Sequence, residues 1–572
     1  MPEPYSLPAQ SDEHGILRFL DGLDSESASA REYAGKHWEE SLRQLRGDQW
    51  RMNRPPHFMA NIIRNQVERK VAALTEVKPT IKVVGTKPGI SNAAFVINQA
   101  IKSIWDLNQM DSVLYRLGMT GMTLGSGFLY TYYDPAYNNF LGDIVIRHVD
   151  PRRMLIDPMV MEAEHLNNAA YLCMETFDTI SNLRQRFPGR GMLVTPDRKY
   201  STFISEKHRS QNVGVLSSVL RSFPQIFKPG PAIKEGPIPR ATIREYWLRD
   251  PQLGQDGQAL FPTGRRIIRA GDIILSDEKN PYWDGSFPID MFDWNLDFDS
   301  PWGIGEVNEL RRLQEAFNRI GDGIIRNALL SNNVKVIADM DALEPDKWDE
   351  LTNEGGIIIK KRPGRELTYD MPKELPQYLF QLMSSLLGFC DMLTGNVDPA
   401  GKENGGQAIS ASALEGLQAQ SQTLIRQISR RYESLLERVG QKLISRVVQY
   451  YTSDRTLQLV GASKEWISYI YERQKIFMDD KGNPRKALDV EKMFTDFRFL
   501  VVPGSSLANT RIQRTMMAMQ LRGNLGVPVP SVKTILKEAD LGDPDEMLRE
   551  GFEEAKQYGM GQPEPPKGNK KH

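Results

Sequence analysis

One helical pattern constrains this chain more than any other feature: it runs without a break from Ile409 to about Tyr451. At 1.5 Å per residue it would span on the order of 65 Å, several times the average globular helix. Leu417, Leu424, Ile428, Leu435, Val439, Leu443 and Val447 form its apolar stripe, so it must pack along something equally long. On the same helix Arg426, Arg430, Arg431, Arg438, Lys442 and Arg446 outnumber Glu415, Glu433 and Glu437. That excess predicts a face paired with a neighbouring subunit rather than a DNA groove.

Upstream the chain reads as α+β. Helical periodicity covers Ser25 to Trp50 and, after the breaker NRPP, His57 to Glu76, with Met59, Ile62, Ile63, Val67 and Val71 on one stripe. Ala93 to Leu117 reads as one further helix. Strand-like runs follow at 80–84, 128–133, 142–151, 152–158, 170–176, 241–250 and 265–275, several closed by Asp-Pro. Between about 187 and 240 proline, glycine and serine dominate, which predicts an irregular surface insertion. A second long amphipathic helix is expected from Ile304 to about Leu330, carrying Val307, Leu310, Gln314, Phe317, Ile320, Ile324 and Ala328 at steps of three and four. Asn332 to Asp370 is a compact mixed segment, with strands at NVKVIA and GGIIIK around an acidic helix, and helix resumes from Leu375 to Leu393. Beyond the long helix come a charged linker to 490, a strand at 497–504, helices from Asn509 to about Tyr558 and a polar tail predicted to be disordered.

Length and charge narrow the function classes. At 572 residues the chain is long enough for several domains. With 72 Lys+Arg against 73 Asp+Glu it lacks the strong positive field of a tight nucleic-acid binder. Cys173 and Cys390 fit neither a disulfide framework nor a metal pair, which implies a reducing compartment. The acidic, proline-containing MPEPYSLPAQSDEH does not resemble a signal peptide, and no apolar run reaches the roughly 18 residues of a membrane span.

Catalytic signatures are missing where they would be sought. There is no phosphate-binding loop, and Gly303-Ile304-Gly305 has Asn308 where a dinucleotide fingerprint needs its third glycine. Gly125-Ser126-Gly127 fails as a nucleophile elbow because position 124 is Leu, so a tight turn into a strand is the better reading of Ser126. The seven histidines show no ligand spacing, so no metal or other cofactor is expected. Asp290, Asp293, Asn295, Asp297 and Asp299 resemble a calcium loop, but Phe298 takes the turn glycine's place and a solvated acidic turn is expected instead. In the segment 332–370, Asp339, Asp341, Glu344, Asp346, Asp349, Glu350 and Glu354 precede Lys360, Lys361, Arg362 and Arg365. Opposed patches of this kind suit a docking surface, with an ordinary solvated face as the competing reading.

The order of these elements resembles the portal proteins of tailed double-stranded DNA bacteriophages, podovirus type. The resemblance rests on GSGFLYTYYDP with GDIVIRHVDPRRMLIDP, on PWGIGEVNELRRLQEAFNRIGDGIIRNAL, on MLTGNVDPAGKENGGQAISASALEGLQAQ and on FRFLVVPGSSLANTRIQRTMMAMQL. It implies an α+β portal fold: a mixed wing at 1–300, a first stem helix at 301–332, a small clip at 333–372, a second stem helix at 373–394, a tunnel loop at 395–408, a long helix at 409–452, a return to the wing at 453–508, a helical crown at 509–560 and a tail at 561–572. Gly395, Asn396, Asp398, Lys402, Glu403, Asn404 and Gln407 would then face DNA at the channel's narrowest point. Asp346, Glu350, Lys360, Lys361, Arg362 and Arg365 would dock partners, and Leu310, Phe317 and Ile324 would lie in the stem interface. The resemblance further implies a homo-oligomeric ring, usually of twelve, at one capsid vertex of the virion, assembled in the host cytoplasm. Its partners would be the terminase, a tail adaptor, the major capsid and scaffolding proteins, and double-stranded DNA held weakly without regard to sequence. Hydrolysis would belong to the separate motor, not to this chain. Two rival readings are another virion structural protein and a nuclease or hydrolase with a dispersed site.

Overall fold

The computed structural model describes residues 8–49, 58–75, 79, 81–137, 141–197, 238–250, 252, 259–332, 335–339, 363–370, 375–395, 411–460, 466–482 and 490–501, with side chains in the last long helix from 425 onward. Asp12 starts the first helix, α1 (Glu13–Gly35), by accepting from the Gly15 amide at 2.9 Å. A second helix, α2 (Trp38–Arg46), follows after a break, so the single helix expected from Ser25 to Trp50 is two, the first beginning earlier. The next are α3 (Ile62–Thr75), β1 (Ile81–Gly85), α4 (Ser91–Leu107) and α5 (Met110–Leu124). Here too one expected helix divides: Gln109 takes φ 50, a left-handed conformation that ends α4 and redirects the chain.

Two antiparallel sheets make up much of the remaining body. The smaller has the order β3-β2-β9, from β2 (Ser126–Asp134), β3 (Asp143–Val149) and β9 (Ile289–Asp293). The larger runs β4-β5-β6-β7-β8, from β4 (Met154–Ile156), β5 (Tyr171–Thr179), β6 (Arg240–Leu248), β7 (Arg265–Ala270) and β8 (Ile273–Lys279), with α6 (Ile180–Arg186) after β5. The run 265–275 is thus a hairpin rather than one strand, turning at Gly271 with φ 58. Helix α1 lays Ile16, Leu20 and Leu23 against Tyr171, Tyr246 and Ile267 of the larger sheet. Its acidic side is tied down as Asp24 accepts from Arg244 at 2.5 Å and from Tyr246 at 2.7 Å.

The expected second long helix is α7 (Glu306–Asn332), followed by β10 (Lys335–Ala338), β11 (Leu367–Asp370), α8 (Tyr378–Thr394) and the 40-residue α9 (Ala411–Tyr450). Ile428, Leu435, Val439, Leu443 and Val447 of the α9 stripe are buried among Ile97, Ile101, Phe292, Phe497 and Phe499 of the same chain. Gly440 permits this closeness, since a Cβ there would overlap the Phe499 ring. The chain then makes β12 (Arg455–Val460), β13 (Trp466–Tyr471) and β14 (Phe497–Val501). The β12–β13 hairpin falls where only a charged linker was expected. Strand β14 pairs antiparallel with β1, Ile81 opposite Val501, joining segments more than 400 positions apart. The expected helices at 509–558, the tail and most of the 187–240 insertion lie outside the described residues.

Candidate functional site

Helix α7 grows from a junction where two glycine motifs meet. Gly125 ends α5 at φ 89, its amide bonded to Gly121 O at 2.7 Å and its carbonyl accepting from Trp294 N at 2.8 Å. Opposite it, the Gly303 amide donates to Ser126 Oγ at 2.9 Å. A Cβ on Gly125 would overlap the Gly303 carbonyl, and one on Gly303 the Gly125 carbonyl, so the two backbones touch only because neither carries a side chain. The buried Ser126 hydroxyl therefore holds backbone, consistent with the tight turn expected from its motif. Just beyond, Lys70 Nζ lies 2.5 Å from Glu306 Oε1, which also accepts from Trp294 Nε1 at 2.7 Å. This pair, almost out of solvent, fixes the first turn of α7 to α3 and to the end of β9.

Along α7 the burial changes with distance from the junction. Val307, Leu310, Gln314 and Phe317 are buried by this chain itself; Gln314 donates to Ala60 O at 2.7 Å and accepts from the Ile62 amide at 2.9 Å, and Phe317 packs on Phe58 with ring centroids 6.0 Å apart. Leu310 and Phe317, expected in the stem interface, pack against the N-terminal helices and Phe58 of their own chain. Ile324 is half-buried, and from Ala328 the helix is exposed. Helix α8 packs beside α7 but buries only Leu386, Cys390 and Thr394. Tyr378, Phe380, Phe389 and Met392 are left open to solvent, Met392 by 67%.

Between the two helices, β10 and β11 pair from Lys335 opposite Asp370 to Ala338 opposite Leu367. The pairing strand at 367–370 had no counterpart in the periodicity. Arg365 is exposed beside this hairpin. Asp346, Glu350, Lys360, Lys361 and Arg362, with the expected strand GGIIIK, lie outside the described residues. Gly395 closes α8 in the left-handed conformation at φ 70, while Asn396, Asp398, Lys402, Glu403, Asn404 and Gln407 also lie outside them.

Much of the basic side of α9 pairs within its own chain. Arg431 reaches Asp293 at 3.5 Å, Lys442 reaches Asp290 at 2.8 Å and Arg446 reaches Asp284 at 2.7 Å. Arg438 donates to Met291 O at 2.8 Å, and Arg426 and Arg430 remain exposed. Asp290 and Asp293 are thus not a solvated turn: both are buried on β9 beneath the helix cations. Burial pushes the Asp284 carboxyl up, but Arg446 and the Ser286 hydroxyl outweigh it and hold it below its usual range. The sequence named Arg431, Arg438, Lys442 and Arg446 on one helical face but did not pair them with Asp284, Asp290 and Asp293; the recurrence of the cations along that face was the signal for carboxylates of matching rise. Among the described residues no group of three metal-ligating side chains forms.

Antiparallel sheets around one long helix, with a helix pair and a small hairpin leading from a glycine-locked junction, define an α+β protein. The family model of the phage P22-like portal proteins matches residues 25–571, nearly the whole chain, and the chain belongs to that family. It is a phage portal protein, a virion component of capsid assembly and genome packaging. The family is structural rather than enzymatic, and membership implies an oligomeric ring at a capsid vertex with capsid and terminase contacts. None of the curated proteins matches this chain. No described helix is long and apolar enough to cross a membrane.

Proposed function

We propose that twelve copies of this chain close a ring whose axial channel passes DNA during packaging and ejection, with α7 and α8 as the stem, 333–372 as the clip and 395–408 as the tunnel loop. The clip docks the terminase and afterwards the tail adaptor through its acidic and basic patches, and assembly takes place in the host cytoplasm with the capsid and scaffolding proteins. The observation that carries this reading is the helix α8, whose Tyr378, Phe380, Phe389 and Met392 are exposed among the described residues. Neighbouring copies of the same helix pair can supply that cover in a closed ring.

The tunnel loop contains Gly395, Gly401, Gly405 and Gly406 with one cation, Lys402, beside Asp398 and Glu403. So little positive charge makes phosphate contact weak and reversible, as a sliding surface requires. Deleting Pro399 to Gly405 should leave ring formation intact and reduce packaging or retention of the genome, measured as DNA content per filled head. Full-length DNA packaged and retained at the unmodified level would contradict the tunnel-loop assignment.

A further inference from the structure

Two residues one turn apart on α3 hold the two helices that leave the body. Lys70 pairs with Glu306 in the first turn of α7 at 2.5 Å. Gln66, also buried, faces the last turn of α8: its Nε2 donates to Asp391 Oδ1 at 2.7 Å, and its Oε1 accepts from the Thr394 hydroxyl at 3.0 Å, a proton shared with Cys390 O at 2.9 Å. Thr394 is buried and immediately precedes Gly395, whose left-handed backbone ends the helix. The buried side chains of α8 form the single stripe Leu386, Cys390 and Thr394, all in its second half, whereas Tyr378 and Phe380 at its start are exposed. The helix is thus held at one end, where the Gln66 clasp joins it to α3.

A clasp at one end governs direction. Helix α8 has 17 residues, about 25 Å at 1.5 Å per residue, so a shift of about 1 Å at its anchored end tilts it by about 2°. A ring built from one repeated contact closes only if each step turns by a whole fraction of a circle, and the steps for twelve and thirteen copies differ by about 2°. A little freedom at Gln66 is therefore enough to change the count. Hydrogen bonds, with fixed donor and acceptor directions, limit such shifts better than the non-directional apolar contacts of Leu386 and Cys390. We infer that Gln66 is a positioning residue: with Lys70 it makes α3 a bracket that fixes the spread of α7 and α8, and through that spread the number of subunits in the ring. The ring count rests on the stem assignment proposed above.

Cys390 and Cys173 are the chain's two cysteines and both are buried, one in the clasped half of α8 and the other on β5 of the larger sheet, so thiol labelling reads the bracket and the body separately. Gln66→Met keeps the length of the side chain and removes both hydrogen bonds. In the full chain under native conditions it should speed the reaction of Cys390 with a thiol reagent about tenfold and leave Cys173 within about twofold of the parent. Thr394→Val, which also serves if Gln66→Met does not fold, should act in the same direction. Gln66→Glu combined with Asp391→Asn reverses one hydrogen bond and keeps both, and should return Cys390 to the parent rate. Native mass should show one subunit number for the parent and for the exchanged pair, and a spread of numbers for Gln66→Met. The inference is overturned by an unchanged Cys390 rate, by equal acceleration of both cysteines, by failure of the exchanged pair to restore the rate, or by rings of the parent's single number in Gln66→Met. A parent that forms no ring sinks the stem reading and the ring count with it, while the thiol rates still decide the bracket.

Discussion

His148 shows how burial alone creates a pH dependence. Its ring is packed beside Thr120, Nε2 lying 2.9 Å from the hydroxyl, and burial pulls its pKa down to about 4 against the opposing pull of Asp150. The folded state thus binds fewer protons than the unfolded state between about pH 4 and 6.5, so stability falls as pH drops through that window. Full expression of the shift is worth on the order of 3 kcal/mol. Urea midpoints measured at pH 7 and pH 5 should differ less in His148→Gln than in the parent chain; an equal difference would show that other groups set the slope. Gly125 makes a second residue-level case, combining a left-handed backbone with direct contact to the Gly303 carbonyl. Gly125→Ala should cost at least about 2 kcal/mol, whereas Gly89→Ala, with φ 79 and open space around it, should cost about 1 kcal/mol. Thermal melts of the two variants measure the difference, and equal losses would mean that conformation alone, not the crossing, matters at 125.

At the level of elements, the proposed stem assigns folding to the start of α7 and assembly to α8. Phe317→Asp places an unpaired charge against Phe58 inside the subunit and should cost several kcal/mol, so soluble protein should be lost. Phe380→Asp, on a side chain 54% exposed, should leave the subunit folded by circular dichroism and prevent its assembly in size-exclusion chromatography. Assembly of Phe380→Asp at the parent level would remove α8 from the interface. Helices were legible in the sequence because their apolar steps of three and four survive any context, as Ile428, Leu435 and Val439 do. Strand β9 was not, since a strand buried on both faces has no alternation, and its Asp290 and Asp293 read as solvent-facing until Lys442 and Arg431 were seen above them. The split of α4 from α5 turned on one left-handed Gln109, which periodicity cannot register, and β12 and β13, RTLQLV and WISYIY, were passed over inside a segment read as a linker from its charged flanks. For the site, the sequence marked Gly125 and Gly303 separately; only the fold brings them together.

On the scale of the whole molecule, the pairing of β1 with β14 and the burial of α9 make one subunit from distant parts of the chain. The apolar side chains of α8 are exposed among the described residues, and the proposed ring would cover them on every copy. A portal must also release its cargo, and the balance of 72 basic against 73 acidic residues keeps the strong counterion-release term of a DNA-binding protein from holding the genome in place. The most direct measurement is electron microscopy of the purified full chain combined with native mass determination. The account predicts annular particles of twelve subunits with an open axial channel; a monomer, or a compact oligomer without a channel, would contradict it.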